Sequence, residues 1–499
     1  MGAKVCDYFY VNAPVTTQSS TGLSGTLDRF FSISQRGSTI GREVRGGFVT
    51  FFAMSYILIL NPIILSAFPD SNGEFLGHST EANMAAIAAG TALVAGVLSI
   101  AMGLWANFPL ALASGMGLNA MVAFTLVGAT QLTWGEAMGL IVWEGLIILI
   151  LVLTGFREAV FKAVPAQMKT AISVGIGLFI ALVGLVNAGI VRPGGTPLQL
   201  GIDGSLAGWP ALVFVVGLFV TIVLMVRKAR GAILIGILTS TVLGVIIQAV
   251  VQLGPKSDDN PTGWGLSVPE LQGVPVSLPD LSTLGHFDLF GSFGKIGVLA
   301  VLLLVFSLML ADFFDTMGTM VAIGSEAGLL NEHGDPPRTR QILVVDSVGA
   351  AAGGMAGVSS ATSYVESATG VGEGARTGLA TVVTGTLFLL AMFFAPLVEL
   401  VPSEAASTAL VAVGFLMMTQ VTDISWQRPE IAIPAFLTIA MMPFAYSITV
   451  GIGAGFVSYL VIEIALGKAK KIHPLMWIVS LLFVLYFVLG PLQSLLGVN

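Results

Sequence analysis

The sequence predicts an all-α polytopic membrane protein with about 14 transmembrane segments arranged as a 7+7 inverted repeat. Of its 499 residues, 55% are hydrophobic and only 10% are charged, whereas soluble domains carry roughly 25% charged residues. Apolar runs of about 20 residues, long enough to cross a bilayer as helices, recur from Phe48 to Leu492. A long polar loop divides these runs into two groups of seven. A transmembrane barrel would instead show short alternating strands.

Seven predicted spans precede that loop, residues 252–291, which is rich in Pro, Gly and Asp. The first seven have predicted bounds of 48–68, 82–104, 109–130, 135–154, 166–188, 209–226 and 231–251. The second seven have predicted bounds of 293–325, 341–357, 358–373, 377–400, 405–422, 430–444 and 446–466. Because each half has an odd number of spans, the halves insert with opposite topology, as in many secondary transporters.

Lysine and arginine residues predict the orientation. They precede the first span and follow spans 4, 6, 8, 10, 12 and 14, at Arg42, Arg45, Arg157, Lys162, Arg227, Lys228, Arg230, Arg338, Arg340, Arg376, Arg428, Lys468, Lys470 and Lys471. All of them lie on one side if the N-terminus is cytoplasmic. We therefore expect a multi-pass protein of the cell (plasma or inner) membrane, with the long loop outside.

The two ends of the chain lie outside the repeat. The first 40 residues are polar, lack the apolar core of a signal peptide, and are expected to form a cytoplasmic tail with a short amphipathic stretch at Leu27–Ile33. A further apolar run, 474–495, could cross the membrane or lie along the cytoplasmic interface. Its Trp477 and Tyr486 are compatible with an interfacial position.

Two acidic residues, Asp312 and Asp315, lie inside the apolar eighth span. An ionised carboxylate at bilayer depth persists where it faces a protein interior or a water-filled cavity and handles an ion, a proton or a polar substrate. Residues three apart lie on roughly one face of a helix, so we expect one midplane site. The alternative for each acid is a structural role in capping or bonding a neighbouring helix.

Two spans are poor helices and occupy matching places in the two halves. The segment 107–120 is NFPLALASGMGLNA, and the segment 357–374 is GVSSATSYVESATGVGEG. Interrupted segments in corresponding positions indicate a midplane binding site. Irregular backbone is tolerated at that depth only where it is buried in protein or lines a cavity. We expect its free N–H and C=O groups to bind the substrate.

Glu366 lies in the second of these segments, two residues after Tyr364. In an extended segment, residues two apart point to the same face. An aromatic ring beside a carboxylate suits a flat heterocycle with N–H donors, because the ring stacks while the acid accepts hydrogen bonds. The alternatives are a surface-loop acid for Glu366 and an ordinary interhelical hydrogen bond for Asn119. Glu144, in the fourth span, is interpreted as a structural acid.

Several function classes are disfavoured. The single cysteine, Cys6, excludes intrachain disulfides and a Cys-cluster metal site, and the four histidines fall in expected loops. No P-loop, HExxH, GxSxG or paired CxxC motif occurs, so we expect neither ATP-driven transport nor an enzyme, and no cofactor, metal or nucleic acid. The competing class is an anion exchanger or channel of the same architecture, which the carboxylates around the pocket disfavour.

Four stretches carry a resemblance to a known family: FFAMSYILILNPIIL (51–65), GMGLNAMVAF (115–124), DFFDTMGT (312–319) and TSYVESATGVGEGARTGL (362–379). They resemble the AzgA-like purine permeases, a branch of the nucleobase–cation symporter-2 family. The resemblance runs from about Arg42 to Lys468, and its last two motifs are long and specific.

The resemblance implies a core domain (spans 1–4 and 8–11) that moves against a gate domain (spans 5–7 and 12–14). Spans 3 and 10 would contain short crossing strands that meet at the substrate, and the protein would be a homodimer through its gate domains. The chain would divide into a cytoplasmic tail (1–47), core halves (48–155 and 293–400), gate halves (156–251 and 401–467), an extracellular loop (252–292) and a C-terminal basic loop with an apolar helix (468–499).

The resemblance also implies import of hypoxanthine, guanine and/or adenine by proton symport, with sodium coupling as an alternative. The implied substrate-binding residues are Gly117, Asn119, Asp315, Thr319, Tyr364, Glu366 and Ser367. Asp315 is the preferred substrate contact, and Asp312 or Asp315 would carry the coupling proton. Unlike the uracil and xanthine branches, the chain has Asp rather than Glu in span 8 and lacks their Gln-Asn pair in span 10, which favours 6-substituted purines.

Overall fold

A computed structural model describes residues 23–155, 164–229, 231–257, 259–265, 267–270, 275–332 and 335–496. Residues 1–22 of the expected tail lie outside the described residues, as do Arg157, Lys162 and Arg230 among the residues used to predict the orientation.

The first half of the chain contains nine helices and three strands among its described residues. In chain order they are α1 (Leu23–Phe31), α2 (Ile40–Met54), α3 (Ile57–Leu65), α4 (Met84–Ala101) with a π-helical end (Met102–Ala106), β1 (Leu112–Ser114), α5 (Met116–Ala120) with a π-helical continuation (Met121–Ala129), α6 (Trp134–Thr154), α7 (Ala166–Asn187), β2 (Val191–Arg192), β3 (Gln199–Leu200), α8 (Trp209–Val226) and α9 (Ala232–Val251).

The second half follows the long loop and likewise has helices before and after a short strand. Its elements are α10 (Gly291–Ile296), α11 (Val298–Glu326), α12 (Thr339–Met355), β4 (Ala361–Ser363), α13 (Ser367–Gly372), α14 (Gly378–Ala391) with a 3₁₀ end (Met392–Leu400), α15 (Ser403–Met418) with a 3₁₀ end (Thr419–Asp423), α16 (Pro429–Phe444), α17 (Ile448–Ala465) and α18 (Pro474–Leu496).

The predicted fold class is confirmed. Within the described ranges, ten helical stretches are long and apolar enough to cross a bilayer by themselves, and one of them is α2 and α3 taken together. The other predicted spans are shorter: two are the apolar helices Met116–Ala129 and Pro429–Phe444, and two are α12 and the β4–α13 segment. The protein is therefore an integral multi-pass membrane protein.

The interrupted segments 107–120 and 357–374 meet as the expected crossing strands. β1 pairs antiparallel with β4, with Leu112 opposite Ser363 and Ser114 opposite Ala361. Beyond the strands, the Gly115 N–H donates to the carbonyl of Ser360 at 2.9 Å. The two halves of the chain are thus joined by main-chain hydrogen bonds at the centre of the fold.

Buried hydroxyl groups satisfy the backbone that this short pair leaves unpaired. Ser99 Oγ accepts from the Leu112 N–H at 3.0 Å and donates to the Leu112 carbonyl at 3.2 Å. Ser367 Oγ accepts from the Ala111 N–H at 3.0 Å. Because an unsatisfied backbone group at bilayer depth costs several kcal/mol, these side chains are needed wherever the helical hydrogen bonds stop.

Asn61 ties the first span to β1, to α4 and to the segment that leads into β4. Its Nδ2 donates to Thr91 Oγ1 at 2.8 Å, and lies 3.2 Å from both Ser114 Oγ and the Val358 carbonyl. Ser114 Oγ also donates to the Val358 carbonyl. Asn61 therefore holds α3 against the point where the two halves cross.

The amphipathic stretch expected at Leu27–Ile33 corresponds to α1 and the turn that follows it. Phe31 is buried against Leu379 of α14, and Arg36 Nη1 donates to the Asn107 carbonyl at 2.7 Å. This N-terminal segment therefore packs over the start of the first interrupted segment.

The last helix, α18, runs back along α17. Ser480 Oγ donates to the Phe456 carbonyl at 3.2 Å, and a Cβ on Gly453 would meet the rings of Phe483 and Phe487. Residue numbers rise along α18 as they fall along α17, so the two helices are antiparallel. Of the two alternatives for the run 474–495, this packing favours a membrane-crossing helix.

The helices pack in two groups, with α2, α3, α4, α6, α11, α12 and α14 in one and α7, α8, α9, α15, α16 and α17 in the other. Glycines set the closest approaches within each group. A Cβ on Gly145 of α6 would lie 2.3 Å from the backbone N of Ala351 in α12, and one on Gly177 of α7 would lie 2.6 Å from the Cβ of Met417 in α15. Small residues at such crossings let helices associate closely in lipid.

Gly145→Ala is expected to destabilise the protein, because the new Cβ would overlap the backbone of Ala351. We expect a loss of about 1–3 kcal/mol, the usual cost of overpacking, measured as a lower apparent melting temperature of the detergent-purified protein. Gly41→Ala is the matched control, since a Cβ on Gly41 meets no atom within 4 Å. Equal melting temperatures for the two variants would contradict the close packing of α6 on α12.

Candidate functional site

Four elements surround the crossing strands. β1 and β4 lead into the half-helices α5 and α13, and because the strands are antiparallel, these helices leave the pair in opposite directions. The middle of α11 passes beside β4 and α13, and α3 contacts β1 and α5. Side chains from both halves of the chain therefore meet at this point.

A break in the first span positions Tyr56. The span is interrupted between α2 and α3 at Ser55 and Tyr56, and Pro62 within α3 has no N–H to bond the Leu58 carbonyl, which weakens the helix at its start. Tyr56 is only 1% exposed, and its hydroxyl donates to Glu366 Oε1 at 2.6 Å. Sequence analysis did not single out Tyr56, although it lies in the stretch 51–65 that carried the family resemblance.

Asp315 and Glu366 are accessible rather than sealed in the packed core, and we infer that they line an open cavity. The two carboxyl groups interact electrostatically. Asp315 lies deep within the protein and yet is exposed to solvent, while Glu366 is half-buried. The site therefore offers two hydrogen-bond acceptors, from the two halves of the chain, to a molecule in the cavity.

The cavity opens along one face of α11. Beyond Asp315, the residues of that face at Gly318, Ala322 and Ser325 are exposed. Leu308, which lies on the same face about two turns before Asp315, is 0% exposed. Because α11 is a single helix, the site is open toward the C-terminal end of α11 and closed toward its N-terminal end.

This opening lies on the side of the membrane where α2 begins. Arg338, which follows α11, donates from Nη1 to the Trp105 carbonyl at 3.0 Å. Arg36, which precedes α2, donates to the carbonyl of the nearby Asn107 at 2.7 Å. Both arginines thus contact the same end of the second span, so the open side is the one that the orientation prediction assigns to the cytoplasm.

Tyr364 is beside this cavity, but the expectation of an extended backbone from Tyr364 to Glu366 is wrong. β4 ends at Ser363, and Glu366 has helical backbone angles (φ −57°, ψ −17°) as the first turn of α13 forms. The turn closes because the Ser367 N–H donates to the Tyr364 carbonyl at 3.1 Å. The turn leaves Val365, between Tyr364 and Glu366, 55% exposed.

The Tyr364 hydroxyl is held by the strand pair. It donates to the carbonyl of Ser114, the last residue of β1, at 2.5 Å. The Tyr364 side chain is 5% exposed and lies within electrostatic range of Glu366 and Asp315. Its ring is therefore fixed in orientation beside the two carboxyl groups.

Asp312 occupies a different environment from Asp315, although one turn of α11 carries both. Asp312 is 0% exposed, and neither of its carboxyl oxygens has a hydrogen-bond partner among the described residues. It interacts electrostatically with Asp346 of α12. Residues three apart on a helix differ by about 60° in direction, which suffices here to place one acid in the cavity and the other in the core.

Asp346 is a buried acid that sequence analysis missed. Its carboxyl group accepts hydrogen bonds from Thr316 Oγ1 at 2.8 Å and from Ser363 Oγ at 2.9 Å, so it links α11, α12 and β4. An acid inside the apolar ninth span is the signal that identified Asp312, and it could have identified Asp346 as well.

The other predicted site residues lie around the same strands. Asn119 is 0% exposed, and both its amide atoms lack hydrogen-bond partners, which is rare for a buried amide. Gly117 packs against Ile176 of α7 in the second helix group. Thr319 is buried on α11, one turn after Asp315, and Ser367 is buried with its hydroxyl accepting from the N–H of Ala111, just before β1.

The chemistry of the site is acidic. Among the described residues, the recorded ion pairs join Arg45 to Glu373, His78 to Glu74, Lys295 to Glu136 and Arg428 to Glu430, and none of them involves the acids at the site. Unpaired carboxyl groups can bind protons, cations or neutral molecules that donate hydrogen bonds. They repel anions.

Sequence comparisons place the chain among transporters. The Permease family (Xan_ur_permease) matches residues 41–459. The adenine permease AdeP of Escherichia coli is 39% identical over 475 residues, covering 95% of this chain and 98% of that protein. The guanine/hypoxanthine permease PbuG of Bacillus subtilis is 38% identical over 466 residues, covering 93% of this chain and 99% of that protein.

Solved structures with the same fold are more distant in sequence. The murine Slc26a9 anion transporter in the inward-facing state superposes with a TM-score of 0.60 at 12% identity, covering 93% of this chain and 77% of that chain. The transmembrane domain of a cyanobacterium bicarbonate transporter, BicA, superposes with a TM-score of 0.54 at 15% identity, covering 85% of this chain and 96% of that chain. At these identities the likeness shows the fold alone.

Cysteine labelling should map the open face of α11. In a Cys6→Ser background, Ala322→Cys is expected to react quickly with a hydrophilic maleimide in the detergent-purified protein, because Ala322 is exposed. Leu308→Cys is the matched control on the same helix face and should react much more slowly, since Leu308 is 0% exposed. Equal labelling rates at the two positions would contradict a cavity that opens only beyond Asp315.

Proposed function

This chain belongs to the Permease family, and from that membership we propose that it is a secondary active transporter that imports purine nucleobases by proton symport. It is a transporter rather than an enzyme. The observation that carries the substrate class is the pair of facing acceptors, Asp315 and Glu366, in a cavity beside an aromatic ring. Relatives over nearly the whole chain are named adenine permease and guanine/hypoxanthine permease, which supports hypoxanthine, guanine and/or adenine as substrates.

The proposed binding mode uses the two cavity acids on one planar ligand. Purine bases present ring N–H groups on their edges and flat aromatic faces. Glu366, held by the Tyr56 hydroxyl, accepts a hydrogen bond from one edge, and Asp315 accepts one from the other. The purine ring stacks near Tyr364, whose orientation is set by its bond to Ser114. Charge-assisted hydrogen bonds of this kind are about twice as strong as neutral ones.

Asp312 is the proposed site of the coupling proton. Desolvation favours the neutral form of a carboxylic acid, and Asp312 is fully buried with no hydrogen bond to either carboxyl oxygen among the described residues. A proton taken up on the outer side would be carried inward with the purine and released to the cytoplasm. Asp315 is then free for substrate contact, since it faces the cavity.

The movement that carries the substrate is proposed to be a shift of the core domain against the gate domain. The first helix group, with the crossing strands, carries the acids, and Gly117 contacts α7 of the second group at the boundary between them. The N-terminus would be cytoplasmic, and the protein would be a homodimer through its gate domain. With that orientation, the cavity described above faces the cytoplasm.

Anion exchange is the competing function, and the site disfavours it. The structural neighbours include an anion transporter and a bicarbonate transporter, but likeness at 12–15% identity extends to the fold only. An anion site would need a positive group near the strands, or helix N-termini without carboxyl groups beside them. Here Asp315 and Glu366 occupy that place, and the ion pairs among the described residues lie elsewhere.

The direct test is uptake of radiolabelled adenine and hypoxanthine by cells that lack their own purine carriers. We expect saturable uptake that is blocked by excess purine but not by uracil, and that is abolished by a protonophore. Uptake that persists with the protonophore but requires sodium would show that the coupling ion is Na⁺ and not a proton. No uptake, in cells where the protein is shown to reach the membrane, would contradict the proposal.

Asp315→Asn and Glu366→Gln are expected to raise the KM for purine uptake about tenfold or more, because each removes a charged acceptor whose hydrogen bond is worth roughly 1.5–3 kcal/mol.

Asp312→Asn should instead leave the KM for purine unchanged and remove the dependence of uptake on the proton gradient. Initial uptake rates against purine concentration and external pH separate these outcomes. Asp259→Asn, in an exposed loop, is the control. Normal proton-coupled transport in both aspartate variants would contradict the assigned roles.

Tyr56→Phe should raise KM with a smaller change in the maximal rate, because it removes the donor that orients Glu366. The loss of one hydrogen bond to a charged group, worth roughly 1.5–3 kcal/mol, predicts an increase of about ten- to 150-fold. Tyr459→Phe, on the half-buried surface of α17, is the matched control. A KM for Tyr56→Phe equal to that of the control would show that Glu366 does not depend on Tyr56.

A further inference from the structure

Glu144 is a buried acid that the proposed mechanism leaves without a role. It lies at the middle of α6 and is 0% exposed, and neither of its carboxyl oxygens has a hydrogen-bond partner among the described residues. A carboxyl group without partners is costly at bilayer depth, and such residues mark proton or ion pathways. Helix packing does not require it, since the close contact of α6 with α12 is made by the neighbouring Gly145.

Three acids converge from the middles of three helices. Glu144 of α6 interacts electrostatically with Asp346 of α12, and Asp312 of α11 interacts with both. Ser360, at the start of the β4 segment, faces Glu144, is 0% exposed, and has a hydroxyl without a hydrogen-bond partner. The buried hydroxyl is thus a neutral group that can donate to Glu144 or accept from it.

The three acids are not equivalent. Asp346 accepts hydrogen bonds from Thr316 and Ser363, and hydroxyl donors of this kind stabilise a carboxylate. The carboxyl oxygens of Glu144 and Asp312 form no such hydrogen bond, although the hydroxyl groups of Ser360 and Thr362 lie near them. Among the described residues, the charged groups that face Glu144 are Asp346 from α12 and Asp312 from α11, and neither is a cation. Three negative charges in this cation-free core would repel strongly.

The arrangement suits a proton better than a metal ion. Among the described residues, no three His, Cys, Asp or Glu side chains come close enough together to hold a metal ion. A proton needs only one carboxyl oxygen and one acceptor beside it. The acids are near enough to interact electrostatically, which is sufficient for protonation of one to depend on the charge of another.

We propose that Glu144 and Asp312 together bind the coupling proton, with Asp346 as the fixed carboxylate that attracts it. This inference rests on the proposed function and deepens it, since it assigns the proton site to a pair of residues in the core, separate from the cavity acids Asp315 and Glu366. The pair is a coupling site and does not touch the substrate.

The proposed step moves one proton and no electrons. On the outer side, a proton from water forms an O–H bond with a carboxyl oxygen of the Glu144–Asp312 pair. The other acid or the Ser360 hydroxyl then accepts a hydrogen bond from that O–H group. With the charge of the cluster reduced by one, the core domain can cross between its two positions at a lower desolvation cost. On the inner side the O–H bond breaks and the proton passes to water.

The test compares two modes of transport by full-length protein in liposomes, with radiolabelled adenine and hypoxanthine as probes. In the first, a pH gradient of one unit drives accumulation, and a one-to-one symporter can reach about tenfold. In the second, counterflow at equal pH, internal unlabelled purine exchanges for labelled purine and no gradient is used. Glu144→Gln is the test variant, because glutamine resembles the neutral acid in shape and cannot release a proton.

We expect Glu144→Gln to continue counterflow while its gradient-driven accumulation ratio falls from about ten to about one. We also expect the KM of the unsubstituted protein to depend on pH and the KM of Glu144→Gln not to. Glu463→Gln is the matched control, since Glu463 is also a buried glutamate, on α17 in the second helix group, and it should keep both modes. Accumulation by Glu144→Gln equal to that of the control would overturn the inference while leaving proton symport in place.

The unsubstituted protein separates this inference from the proposed function. If a pH gradient drives no accumulation in it, and a sodium gradient does, both proton symport and the Glu144–Asp312 site are wrong.

If Glu144→Gln fails to purify as a single species, Glu144→Asp is used to test the inference instead. This variant keeps a titratable group, so we expect gradient-driven accumulation with a displaced pH profile. A pH profile identical to that of the unsubstituted protein would overturn the assignment.

Discussion

The antiparallel pairing of two three-residue strands at the centre of the fold is the constraint on which the rest of the structure depends. Each strand interrupts a helix at bilayer depth, where every backbone group needs a partner. β1 and β4 supply partners to each other, and buried side chains such as Ser99, Ser367 and Asn61 supply the remainder. These polar residues lie at the ends of the interrupted helices because the backbone groups there need hydrogen-bond partners. The same interruption brings Tyr364 and Glu366 close to Asp315 of α11.

The site separates its acids by environment more than by distance. Asp315 and Asp312 are less than one helical turn apart, yet the first faces a cavity and the second faces the buried acids of α6 and α12. A group that faces the cavity can contact a substrate, whereas a group in the core can exchange only something as small as a proton. The geometry of one helix thus allows two tasks to be carried by neighbouring residues and to be coupled through a short, stiff piece of backbone.

The fold is shared with proteins that carry chemically different substrates. The structural neighbours are named as anion or bicarbonate transporters, and two sequence relatives are named as adenine and guanine/hypoxanthine permeases. The fold supplies paired interrupted segments at the membrane midplane, and the side chains there decide what can bind. In this chain those side chains include carboxyl groups without cationic partners, which accept hydrogen bonds and protons. Substrate class therefore depends on the side chains of the site rather than on the fold.

The sequence by itself determined the span count, the two interrupted segments and the acids of the eighth span, because apolar length and an acid in an apolar run are local properties of the chain. The family motifs added the crossing strands. Only the tertiary structure decided which way each acid faces, that Tyr56 bonds Glu366 across 310 residues of sequence, and that Glu144, Asp312 and Asp346 share one core. It also replaced the extended backbone expected at Glu366 by a helical turn. These features depend on contacts between distant segments, which periodicity and spacing do not contain.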